Sequence, residues 1–246
     1  MTKKKISIIL TLVLIVGICA YFGISSLADN PIREDGKLYA ESLQTPSLEQ
    51  STEQDADEPA ITGKDFTVTR HVFQNMVAQN QHSGMEPQEA EQYALMQYIV
   101  RRSVYFQAVS EGFLASDEAV QQDIDYTKEA SKSADNAEDY YEFIKGTGMT
   151  EDEYWASMFD TRKMLITLEN YAEAKRTAFL ANGHTQDDEA AWQAYCLDLT
   201  QQAIDAQEIT LAEPYAWELT AENCNAVAIW PSLSGWGGQG TPDAVQ

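Results

Sequence analysis

Histidine, cysteine and positive charge are all scarce in this 246-residue chain, and each scarcity removes a class of function. The three histidines, His71, His82 and His184, lie far apart, and none falls in HExxH or another metal-ligand spacing. They read as surface or helix-end residues. The three cysteines form no CxxC pair, so zinc and thioredoxin-type chemistry lack their ligands. Only 16 lysines and arginines stand against 39 acidic residues, a formal charge of −23. All the acids, and all but three of the bases, lie beyond residue 28. Such a surface repels nucleic acid and anionic lipid head groups, Arg101-Arg102 being the one local basic exception, and the acidity itself reads as solubility. No G-x-S-x-G, P-loop or paired glycine-rich fingerprint occurs. Asp123 with Asp125 and Asp187 with Asp188 are close carboxylates, but no base, nucleophile or metal partner accompanies them. No catalytic residue, metal site or cofactor is therefore expected, and the chain reads as a non-enzyme.

One long apolar run is present, at the N-terminus. Lys3, Lys4 and Lys5 precede Ile6 to Ile24, about 19 residues and close to the ~20 that a helix needs to cross a bilayer. Lysines on the N-terminal side stay in the cytoplasm, so the remainder is expected outside, on a single-pass anchor reaching to residue 28. Cleavage after Ala28 is the alternative, because Ser26-Leu27-Ala28 offers the small residues that a signal peptidase prefers; the product would then be secreted. Cys19 lies in this run behind Ile18, which fits a lipid-attachment motif poorly.

Residues 29–63 carry Pro31, Pro46 and Pro59 and an acidic, Ser/Thr/Gln-rich stretch, the composition of a flexible linker. From 64 to 206 the apolar period becomes helical, which leaves roughly 140 residues, enough for one domain with its own core. Thr69 caps a helix to Gln79. Pro87 opens another to Glu111, with Leu95, Ile99, Phe106 and Val109 on one face, and Gly112 ends it. Ser116 caps a third helix to Ser133, and a short one spans Glu138 to Lys145. Thr150 and Glu153 form a capping box that starts a long helix to Ala181. A last helix carries Trp192, Cys196, Leu199 and Ala203. Residues 207–246 lose the helical period; a short strand at Glu208–Leu211 is expected, then a tail with Trp217, Trp230 and Trp236 that packs back in part. Cys196 and Cys224 are either a disulfide of an oxidising compartment or two unpaired thiols. The expected fold class is all-α, an irregular multi-helix body with a short irregular or β tail.

Large apolar side chains exceed what one stripe per helix requires. Met96, Tyr98, Tyr105 and Phe106 occupy several azimuths of the second helix, as do Tyr154, Trp155, Met158 and Phe159 on the long one. One stripe is core; a second is a candidate peptide-binding groove, since Met and Tyr suit a surface that accepts many apolar sequences.

Residues 94–124, ALMQYIVRRSVYFQAVSEGFLASDEAVQQDI, resemble the helix-turn-helix of the N-terminal chaperone module of SurA-type and PrsA-type extracytoplasmic foldases. Ala108, Gly112, Leu114, Ser116, Asp117, Glu118 and Val120 carry the likeness. Residues 143–171 are similar to that family's Gly-hydrophobic-Thr-Glu-x-x-Tyr helix through Gly148, Met149, Thr150, Glu151, Glu153 and Tyr154. The resemblance covers about residues 60–180 and implies a helical cradle that holds unfolded or extended exported polypeptides. A parvulin-type prolyl isomerase domain, which follows the module in many members, does not fit into the roughly 40 residues after the last helix, well below the usual size of a domain. The competing expectation is a structural or adaptor protein that docks on a dedicated cell-envelope partner.

Overall fold

The computed structural model describes residues 31–43, 58–82, 84–134, 136–213, 215, 217–224 and 226–231. The expected membrane segment at 1–28, the linker stretch 44–57 and the tail with Trp236 lie outside the described residues. No helix among the described residues is long and apolar enough to cross a membrane.

The body is mostly helical: α1 (Pro31–Leu43), α2 (Arg70–His82), α3 (Pro87–Leu95), α4 (Arg101–Ser110), α5 (Asp117–Lys132), α6 (Ala137–Thr147), α7 (Glu151–Ser157), α8 (Phe159–Ala181) and α9 (Glu189–Ala206). It is not all-α as the sequence suggests. Strands β1 (Pro59–Thr62), β2 (Thr67–Thr69) and β3 (Thr210–Leu211) form a small antiparallel sheet in the order β2-β1-β3. The short strand expected after α9 pairs Leu211 with Ile61, at the other end of the body. Ile61 and Val68 drop from the sheet into the core. Buried Gln207 fixes the hairpin turn: its amide oxygen accepts from the Asp65 N–H at 3.0 Å, and its NH₂ donates to the Asp65 carboxylate at 2.9 Å.

Two further sequence expectations are corrected. Residues 31–43 are a helix where composition suggested linker, and 59–62, also linker by composition, are a strand at the Ile61-Thr62 stretch that resembles the module's short entry strand. Proline at the first turn costs α1 no hydrogen bond, and Ile32, Gly36, Tyr39, Ala40 and Leu43 recur at helical spacing in spite of the charged residues between them. The helix expected to run unbroken from Thr150 to Ala181 turns at Met158, whose backbone sits at φ −82°, ψ −8°. There the Met158 N–H is shared between the carbonyls of Tyr154 and Trp155, and the Ser157 hydroxyl takes the Tyr154 carbonyl at 2.7 Å.

The caps are as the sequence reads them. Ser116 accepts from the Ala119 N–H at 3.2 Å, and Thr150 and Glu153 form a reciprocal capping box. Between α3 and α4, residues Met96–Val100 wind as one π-helical turn, which keeps Met96, Ile99 and Val100 buried together with Ala94 and Leu95 before it and Ser103 and Val104 after it.

Two apolar cores result. The larger gathers the sheet, α2, α3, α4, the C-terminal half of α8, α9 and tail residues Ala221 to Trp230. The smaller is built by Ala115, Val120, Ile124, Tyr140, Ile144, Tyr154 and Trp155. Within the small core the Trp155 indole donates to the Tyr140 hydroxyl at 2.7 Å, which donates to Glu151 at 3.0 Å. The tail closes the large core: the Trp230 indole donates to the Thr200 hydroxyl at 2.9 Å, and Trp192 donates to the Pro231 carbonyl at 2.9 Å.

Replacing Trp230 by Ala removes a buried indole and its hydrogen bond, and should destabilise the domain by about 3–5 kcal/mol. Trp230→Phe should cost clearly less. Urea denaturation of both variants checks this, and equal midpoints for wild type and Trp230→Ala would show that the tail does not close the core.

Candidate functional site

Seven of the eight residues expected to line a groove divide between the two cores, and Tyr105 belongs to neither. Met96, Tyr154 and Trp155 are buried and act as core, because the π turn directs Met96 inward and the kink at Met158 places Tyr154 and Trp155 against α5 and α6. The other five, Tyr98, Tyr105, Phe106, Met158 and Phe159, are half-buried.

Tyr98 and Phe106 meet around Arg102. The Arg102 guanidinium lies 5.6 Å from the Tyr98 ring centroid and 6.0 Å from that of Phe66, and Phe66 stacks parallel to Phe106 at 6.0 Å. Tyr105 touches Phe106 edge-on at 5.2 Å. Burial lowers the pKa of both Arg101 and Arg102, and neither makes an ion pair among the described residues. The aromatic faces take the place of a carboxylate for Arg102.

Tyr154 and Met158 meet a different group: they hold α1. Tyr39 packs edge-on to Tyr154 at 5.8 Å and against Phe143 at 5.7 Å, and its hydroxyl donates to the Met158 sulfur at 3.0 Å. One turn earlier Gly36 crosses Gly146 with the two backbones in contact. A Cβ on Gly36 would fall 2.1 Å from the Phe143 carbonyl oxygen, and one on Gly146 would fall 2.1 Å from that of Arg33. Neither position has room for any side chain without the helices separating. Three residues before Gly36, Arg33 donates from Nε to Glu142 at 2.9 Å, and this hydrogen bond holds the Glu142 carboxyl below its usual range. Asp35 faces His82 of α2 at 3.6 Å. The groove facing α1 therefore has Gly146 as its floor, Phe143, Tyr154 and Met158 as its wall and Glu142 at its rim. Gly36, Gly146, Arg33 and Tyr39 are not among the site residues expected from sequence; the helical spacing of Ile32, Gly36, Tyr39 and Ala40 is the signal for Gly36 and Tyr39, and none marked Arg33 or Gly146.

Elsewhere the polar clusters serve the fold. Buried Arg162 pairs with Asp123, its Nε 2.6 Å from the carboxylate, which supplies a basic partner for one of the close acids. Asp188 accepts from the Thr185 N–H at 2.7 Å ahead of α9. His184 stacks on Phe179 at 4.0 Å. Cys196 and Cys224 are free thiols, not a disulfide; each is buried in the large core, and burial raises both pKa values away from reactivity. No cluster of three or more His, Cys, Asp or Glu suited to a metal occurs among the described residues.

No family model matches this chain, and no curated protein or solved structure matches it.

Glu111 supplies a pH-dependent latch between α4 and α8. It accepts from Gln107 at 2.8 Å, Lys175 at 2.7 Å and Tyr171 at 3.0 Å. Burial pushes its carboxyl up, but these three hydrogen bonds outweigh that and leave it below the ordinary 4.5. A depressed carboxyl contributes stability above its unfolded value and loses it as pH falls through the folded one. Glu111→Gln should therefore lower the urea midpoint at pH 7 and leave it nearly unchanged well below pH 4.5. A difference that is the same at both pH values would remove Glu111 from the acid response.

Proposed function

We propose that the chain is a membrane-tethered, extracytoplasmic module that binds segments of exported polypeptides and assists their folding or handling, without isomerase activity. The observation that carries this reading is α1: a segment of chain lying as a helix in a groove whose wall includes Tyr154 and Met158, two of the residues expected to bind peptide. Helix-in-groove docking is a recurrent mode of peptide recognition. The likeness of residues 94–124 and 143–171 to the SurA and PrsA chaperone module points the same way, and the lysine-flanked N-terminal run supplies the tether and the topology.

The mechanism is binding without an energy source. Apolar burial of a few side chains, at ~25 cal/mol per Å², is largely offset by the ordering of the bound segment, so affinities are micromolar or weaker and release is passive. A chain of formal charge −23 favours basic-apolar segments and disfavours nucleic acid.

A second reading is favoured by one feature of the surface. Among the described residues the exposed large apolar side chains are Tyr93, Leu114, Tyr126 and Tyr141, set apart along four different helices or turns. A surface this sparse suits an adaptor that takes one dedicated envelope partner in the groove better than a holder of many clients.

Diluting a chemically unfolded, unrelated protein with and without the chain from Asp29 onward separates the two. Suppressed light scattering at near-stoichiometric ratios, weakened when Met158 is changed to Glu in a still-folded protein, supports the client-binding module. Absence of suppression by folded protein removes it and leaves the adaptor.

A further inference from the structure

We infer that the groove beneath α1 is selective for helical segments with glycine at the crossing point, a basic residue one turn before it and an aromatic residue one turn after, and that α1 is its resident occupant. This rests on the peptide-binding reading and names what the groove takes.

The selectivity follows from geometry at three levels of the same groove. At the floor, the crossing of Gly36 and Gly146 excludes a Cβ from either helix, since each would stand 2.1 Å from a backbone carbonyl oxygen of the other. A carbonyl cannot yield as the end of a flexible side chain can, so an occupant with alanine or a larger residue there must ride higher and lose the contacts on either side. At the rim, Glu142 takes the guanidinium of Arg33, and in so acidic a protein a basic occupant is also favoured at long range. At the wall, the ring of Tyr39 fills the space between Phe143 and Tyr154, with its hydroxyl on the Met158 sulfur.

The buried side chains described in the small core come from α5, α6, α7 and the turn before α5, and Tyr39 of α1 is half-buried against them. Ala40, the one fully buried apolar side chain described on α1, belongs to neither core. α1 thus lies along the outer side of the small core, and residues 44–57 join it to β1. A segment joined through the chain competes for its own groove at an effective concentration on the order of millimolar, so a free ligand must displace it.

The test uses the full chain and a fluorescein-labelled peptide of residues 30–44. Gly36→Val should undock α1 while sparing the groove, and this variant should bind the peptide at least tenfold more tightly than the unmodified chain does. A peptide with valine at the glycine position should bind at least tenfold more weakly, and adding Gly146→Val to the variant should abolish uptake. Equal binding of the glycine and valine peptides, or undiminished uptake by the double variant, would overturn the inference. A Gly36→Val chain that suppresses client aggregation yet takes up no peptide sinks the selectivity and spares the proposed function; loss of both sinks both. Hydrogen exchange on the unmodified chain gives a reading independent of variant folding. Amides of α1 should exchange at least tenfold faster than those of α8, and equal protection would make α1 an integral part of the body and refute the claim.

Discussion

The first half of α8 packs Ile166 against the small core, while Leu168, Tyr171, Ala172 and Phe179, further along the same helix, enter the large one. One rigid element therefore belongs to both interiors and fixes the distance between them. Its polar contacts repeat the division. Arg162 reaches Asp123 on α5, Thr167 accepts from the Ala115 N–H at 3.0 Å, and Tyr171 and Lys175 converge on Glu111 at the end of α4. Because these contacts are distributed along the helix, α5 and α6 are held at a set angle to the sheet and tail, and the groove that receives α1 keeps its shape. A charge as buried as that of Arg162 is tolerable only while Asp123 stays in place, which ties α8 to α5 more strictly than apolar packing alone.

How much of this was legible follows from how local each signal is. Caps are local: Ser116, Thr150 with Glu153, Thr69 and Pro87 each mark a boundary through contacts made within a few residues, and the helices begin there. The sheet was only half visible, because the pairing of Ile61 with Leu211 joins segments separated by nearly the whole domain. The π turn at Met96–Val100 has no composition of its own and follows from packing on several sides at once. α1 was hidden for another reason. Its charged residues lower the average hydropathy of a stretch flanked by linker-like sequence, and composition outweighed a periodicity that was present.

The candidate binding residues split between buried and half-buried positions for one shared reason. A Tyr or Trp on a helix with several apolar azimuths belongs equally well to a core or to a groove, and only the partner element decides. Tyr154 shows this most clearly. It is nearly inaccessible, yet one of the rings it meets belongs to α1, so the same side chain packs in the small core and against α1. Arg102 makes the reverse case, a cation among aromatic rings that the sequence marked only by its charge.

The two free thiols of the body both sit in the large core and none in the small one. In the chain from Asp29 onward, which leaves out Cys19, opening of one core can therefore be timed separately from opening of the other, because a thiol-reactive reagent reports only the large core. The chain carries its own clock for the order in which its interior comes apart, with no label to be engineered in.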